Sequence, residues 1–205
     1  MLRSIKQAMV VGAVVAVGAF AMPAMASAAP QWNTSATSAP GQAVTGVGEL
    51  TLVWSIGGTS RTITCGVAFD ADLWNATSDG SVRGQGRITS FEWGSGEATP
   101  CSTSLGCPVT IATDTSPPWG ITVANDGTVG ISGIDLTYQF AYCGSSLSGR
   151  SGTISGAVGG GALLEEGELM FTSSLGLTAT GFGATLLSGS LGLYWADDES
   201  AVELS

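Results

Sequence analysis

Histidine is absent from all 205 residues, and the one lysine, Lys6, stands at the start of the chain. Without histidine, neither a Ser-His-Asp nor a Cys-His arrangement can be built, nor a histidine-based zinc site. Without a downstream lysine there is no Ser-Lys dyad. The four cysteines contain no C-x-x-C pair, which argues against a four-thiolate metal centre. No glycine-rich phosphate loop opens a helical pattern. Positive charge is equally scarce. Beyond Arg3 and Lys6 only Arg61, Arg83, Arg87 and Arg150 oppose sixteen acids. That is too few clustered cations for nucleic acid or an anionic membrane surface. Long apolar runs are also missing after residue 22, so no transmembrane segment is expected.

At the start of the chain, Arg3 and Lys6 precede an apolar stretch that breaks at Pro23, and the small residues Ala26, Ser27 and Ala28 follow. This is the layout of a secretory signal peptide, with cleavage expected after Ala28. Removing Arg3 and Lys6 takes the net charge from −10 to −12. The expected organisation is a signal peptide at residues 1–28 and a flexible Ser/Thr/Ala/Pro-rich lead-in at 29–45. A single β-domain at 46–196 and an acidic tail at 197–205 follow. The protein is expected to be secreted or cell-surface, where acidity favours solubility.

Apolar residues then recur with period two. Leu50, Leu52 and Trp54 alternate with polar neighbours, as do Ile63, Cys65 and Val67 after Gly57-Gly58. Ile134, Leu136, Tyr138, Phe140 and Tyr142 share one face opposite Asp135, Thr137, Gln139 and Ala141. Asn125-Asp126-Gly127 between two apolar phrases predicts a hairpin. Thirty-one glycines argue against long helices. One patch, residues 162–170, has helix-like spacing, although a loop leading into a strand fits it as well. The fold class is therefore all-β, an antiparallel sandwich of Greek-key type, with a barrel as second choice.

Cys65, Cys101, Cys107 and Cys143 all lie in the exported part, where an even count implies two disulfides. Three pairings can be drawn. In one, Cys101 and Cys107 close a short loop and Cys65 joins Cys143. Among carboxylates, Asp70 and Asp72 stand near Phe69 and Trp74, and Glu92 lies between Phe91 and Trp93, the makings of a glycosidase-like acid pair. Their simpler role is solvated surface charge. Asp70, Asp72, Asn75 and Asp79 supply hard oxygen donors for a stabilising calcium ion, but the EF-hand register fails and no cofactor is expected. Of six tryptophans, Trp74 and Trp93 sit among polar residues and are the candidate ligand contacts. Asn33 and Asn75 head N-x-S/T sequons.

The phrase SPPWGITV, with Pro118-Trp119 between Cys107 and Cys143, and the closing GTISG phrase at residues 152–156 resemble a group of small secreted bacterial β-proteins. These include ones labelled activators of alkane oxidation. That resemblance covers most of the mature chain. It implies cell-surface or extracellular work related to growth on hydrophobic matter, and it brings no catalytic residues. The expected function is a non-enzymatic secreted β-domain of the cell surface or extracellular matrix, in an adhesion, envelope or assembly role. The alternative is a carbohydrate- or lipid-binding module, with a carboxylate-based glycoside hydrolase as its minor variant. Expected partners are envelope, glycan or hydrophobic surfaces, or further copies of the chain.

Overall fold

The structure, a computed structural model, describes residues 29–56, 59–78, 81–94, 100–104, 106–141, 151–180 and 183–205. The segment expected as a leader (residues 1–28), the turn expected at Gly57-Gly58, Asp79, Tyr142, Cys143 and Arg150 lie outside the described residues. Ten strands follow in order: β1 (Gln42–Ile56), β2 (Thr59–Ser78), β3 (Ser81–Trp93), β4 (Ser102–Thr103), β5 (Val109–Thr113), β6 (Trp119–Val123), β7 (Thr128–Phe140), β8 (Ser151–Glu165), β9 (Glu168–Ala179) and β10 (Gly183–Trp195). Every pairing is antiparallel, and there is no helix among the described residues.

Strand β1 pairs with β2 along one edge and with β10 along the other. The path β1-β2-β3-β6-β7-β8-β9-β10 therefore returns to its start, and the sheet closes into an eight-stranded barrel. This corrects the sandwich expectation in favour of the second choice. Alternation marks one buried face per strand in either architecture. What decides between them is whether the first and last strands pair, and here they do over Val44–Trp54.

Period-two burial runs round the barrel, apolar residues inward and polar ones outward. On β7, Val129 and Ile131 point inward, and so do Ile134, Leu136, Tyr138 and Phe140. The phase slips by one residue between Ile131 and Ile134. A register irregularity lies there, with Gly133 at φ 75°, a bulge conformation that suits glycine. The helix-like patch at 162–170 is instead a tight hairpin. Glu165 pairs with Glu168, and Glu166 (φ 48°) and Gly167 (φ 79°) form the turn. Two central residues with positive φ define the turn type that matches the twist of antiparallel strands. The Asn125-Asp126-Gly127 turn forms as expected, with Gly127 N–H donating to Ala124 O at 3.0 Å.

Strands β4 and β5 belong to a segment inserted between β3 and β6. β4 pairs with β2 at Ile63–Thr64, beyond the reach of β3, while β5 pairs with the far half of β7. A disulfide from Cys65 on β2 to Cys101 holds this insertion to the wall. Cys107 is also disulfide-bonded, so the short Cys101–Cys107 loop closure does not form. A disulfide of this kind belongs to an oxidising setting. No helix among the described residues is long and apolar enough to cross a membrane.

The segments at 29–45 and 197–205 depart from expectation. The segment expected as a flexible lead-in carries Trp32, only 2 % exposed, and the supposed acidic tail carries Val202, fully buried. Gln31 and Ser205 exchange backbone hydrogen bonds, and Asn33 N–H donates to Glu203 O at 3.0 Å. The segment around Trp32 and the last residues of the chain thus form a small clasp across the barrel end where β1 begins and β10 finishes.

Candidate functional site

The barrel interior is occupied by side chains. Phe91 lies at the centre of an aromatic cluster, 5.6 Å from Phe69 in a stacked pair, 5.2 Å from Trp93 and 5.1 Å from Trp119. Trp119 is 2 % exposed, and its indole N–H donates to Asp114 O at 2.9 Å, so it anchors the core. The cavities among these groups measure only ≈ 20 Å³ and ≈ 10 Å³ and are lined by apolar side chains. The larger is about the size of a single water, and its lining offers such a water no hydrogen bonds.

Trp93, read from sequence as a candidate ligand contact, is therefore a core residue: its odd-numbered companions Phe91 and Phe69 share the inward face. Trp74 is half-buried on the outer face, opposite Gln85 and beside the Asp72–Arg87 ion pair (2.9 Å). The carboxylates Asp70, Asp72 and Glu92 point outward, whereas Phe69, Phe91 and Trp93 point inward, and of the aromatics expected beside them Trp74 alone shares their face. Strand alternation thus puts Phe69, Phe91 and Trp93 on the opposite side of the wall from the carboxylates of the expected glycosidase-like site.

The calcium donor set is split in the same way. Asp70 and Asp72 face outward while Asn75 faces inward, and Asp79 is outside the described residues. The Asn75 amide is spent on the clasp: it accepts from Trp32 N–H at 2.8 Å and donates to Trp32 O at 2.9 Å and Thr34 O at 3.0 Å. At 6 % exposure its sequon is inaccessible. The Asn33 amide oxygen likewise accepts from Glu203 N–H and from the Trp195 indole.

The arrangement best shaped for recognition was not singled out by any sequence motif. On the outer wall where β1 meets β10, an open groove of ≈ 430 Å³ is lined by Thr45, Val47, Tyr194, Trp195, Ala196 and Glu199. Val47 and Tyr194 are among the exposed large apolar side chains, at 48 % and 43 %. Cross-strand register puts Thr45 opposite Tyr194 and Val47 opposite Gly192. The Tyr194 ring lies down along its own strand over Gly192. A Cβ at that glycine would sit 2.8 Å from the phenol oxygen and 3.0 Å from Cε2. The hydroxyl end of the ring is thereby held close against the sheet at Gly192.

The turn that supplies Glu199 is well fixed. Glu199 N–H donates to Trp195 O and Trp195 N–H to Ser200 O, both at 2.9 Å. Asp198 accepts from the Ser200 hydroxyl at 2.6 Å and from its N–H at 3.0 Å. These bonds, the hydroxyl first, hold the Asp198 carboxyl below its ordinary value of 3.8. Glu199 itself has φ 57°, an uncommon conformation for a non-glycine residue, imposed by the turn around it. The sequence signal that marks this place is the Gly-x-Tyr spacing at 192–194. On an outward face it lets an aromatic ring recline over a residue with no side chain.

No protein family, curated protein or solved structure matches the chain.

Proposed function

We propose that this chain is an exported, non-enzymatic β-barrel that acts by contact through its outer wall, in the cell envelope or the extracellular matrix. The observation that carries this reading is the filled interior. Among the described residues the voids between the inward side chains measure ≈ 20 Å³ and ≈ 10 Å³, too small for a ligand, which favours recognition on the exterior. Export is supported by the leader at residues 1–28 and by the disulfide. The wall's polarity supports an aqueous setting: Asp135, Thr137 and Gln139 face out where a lipid-embedded barrel would present apolar side chains.

A contact role rather than catalysis is supported by the absence of histidine and by the outward carboxylates standing apart from Phe69, Phe91 and Trp93. The resemblance to secreted bacterial β-proteins points the same way. Barrel closure satisfies most strand edges, which favours contact through the wall over filament growth by edge pairing. The test is cosedimentation of the purified, leader-free protein with insoluble cell envelope and matrix from the producing cells. Saturable pelleting is expected. Protein that remains in the supernatant at every load would count against a surface role.

A further inference from the structure

Resting on the reading that the outer wall is the working surface, we infer that the groove beside β1 and β10 binds neutral polysaccharide, with Tyr194 as its stacking platform. A pyranose ring presents one face of C–H groups, with hydroxyls around its edge. It therefore needs a flat apolar floor flanked by a few hydrogen-bonding groups. The groove offers that combination. The reclining, 43 % exposed Tyr194 ring and the neighbouring Val47 side chain form the apolar part. Thr45 and Glu199 also line it and supply polar side chains as partners. A volume of ≈ 430 Å³ is within the ~300–1,000 Å³ range of small-ligand clefts, and the open form suits a unit within a longer chain.

Charge selects the class of polymer. Glu199 lines the groove, and Asp197 and Asp198 precede it on the same turn, in a protein with sixteen acids. A uronate-bearing chain would be repelled, whereas a neutral one would not. The groove is also pre-organised. The Glu199 turn is closed by backbone bonds at both ends, and the hydroxyl end of the Tyr194 ring is held close to Gly192, so little ordering is left for the ligand to impose.

Affinity gel electrophoresis of the leader-free chain tests the assignment. The gels would contain hydroxyethyl cellulose, a soluble β-1,3-glucan, galactomannan or dextran, with polygalacturonate as the anionic control. At least one neutral polymer is expected to retard the protein, and polygalacturonate is not. Tyr194→Ala should weaken that retardation roughly tenfold, the loss of one aromatic stacking contact. Tyr194→Phe should keep it, and Glu199→Gln should weaken it several-fold without converting the protein to a polygalacturonate binder. Unchanged thermal midpoints would verify that these exposed substitutions leave the fold intact. The inference is overturned if no neutral polymer retards the wild type, if Tyr194→Ala binds as the wild type does, or if polygalacturonate retards it equally. Envelope pelleting without neutral-glycan binding would sink this assignment alone. Failure of both would remove the surface reading as well.

Discussion

Replacing Trp32 with alanine tests whether the chain's first described segment is part of the barrel. Trp32 is 2 % exposed at the clasped end, its indole N–H donates to Gln85 O at 2.8 Å, and its backbone is held on both sides by Asn75. Removing a buried tryptophan side chain costs about 3–5 kcal/mol once the residual cavity is counted. The orphaned Gln85 carbonyl adds about 1 kcal/mol, since the opened site admits water. A loss of about 4–6 kcal/mol is therefore expected. With a urea m-value of about 2 kcal/mol/M, it would lower the denaturation midpoint by about 2–3 M. Trp32→Phe keeps most of the apolar volume, and about 1–2 kcal/mol should separate it from wild type. Gly84→Ala attacks the same contact from the barrel side: its new Cβ would sit 2.6 Å from Val123 Cγ2 and 2.9 Å from the Trp32 indole nitrogen. Urea unfolding followed by tryptophan fluorescence is the assay. A Trp32→Ala loss below about 1 kcal/mol would refute the clasp and restore the reading of a loose lead-in.

Non-reducing peptide mapping should recover a Cys65–Cys101 linked pair, and a closed Cys101–Cys107 peptide would contradict the fold. Replacing both Cys65 and Cys101 with serine should cost about 4 kcal/mol by the chain-entropy account for a separation of 36 residues, read as a lower urea midpoint. The Asp198 carboxyl lies below its ordinary value of 3.8 because Ser200 hydrogen-bonds to its ionised form. Its contribution is thus present above 3.8 and lost as pH falls through the lower folded value. Amide exchange at Ser200 should accelerate over that acid window in wild type. If it stays constant there, the turn does not depend on this carboxylate. A fluorescent fatty acid should show no saturable uptake at neutral pH, because the ≈ 20 Å³ interior void cannot admit it. Stoichiometric uptake would mean that the barrel opens.

Local pattern carried the strands. Leu50, Leu52 and Trp54, or Ile134 to Phe140, announce their buried side by alternation alone, and the all-β class follows from them together with the glycine content. The Asn125-Asp126-Gly127 turn was legible for the same reason, since its conformation depends on the residues within it. The beginning of β1 was not legible, because Gly46 stands where the alternation needs a large inward residue. The Phe69 ring from β2 fills the space a Cβ would take. Trp32 carried no period at all, and its burial depends on Asn75, Gln85 and the distant C-terminal segment.

The sequence by itself determined which side of each strand is apolar, that the chain has little side-chain chemistry beyond carboxylates and hydroxyls, and that its cysteines belong in an oxidising setting. Only the tertiary structure decided that β1 meets β10 to make a barrel, that Cys65 bonds to Cys101, that Trp93 is core, and that Tyr194 reclines in a groove with Glu199. The physical reason is range. Alternation and turn chemistry act between neighbours in the chain. Closure, disulfide pairing and groove formation depend on which distant strands become neighbours in space, a choice settled by the packing of the whole interior.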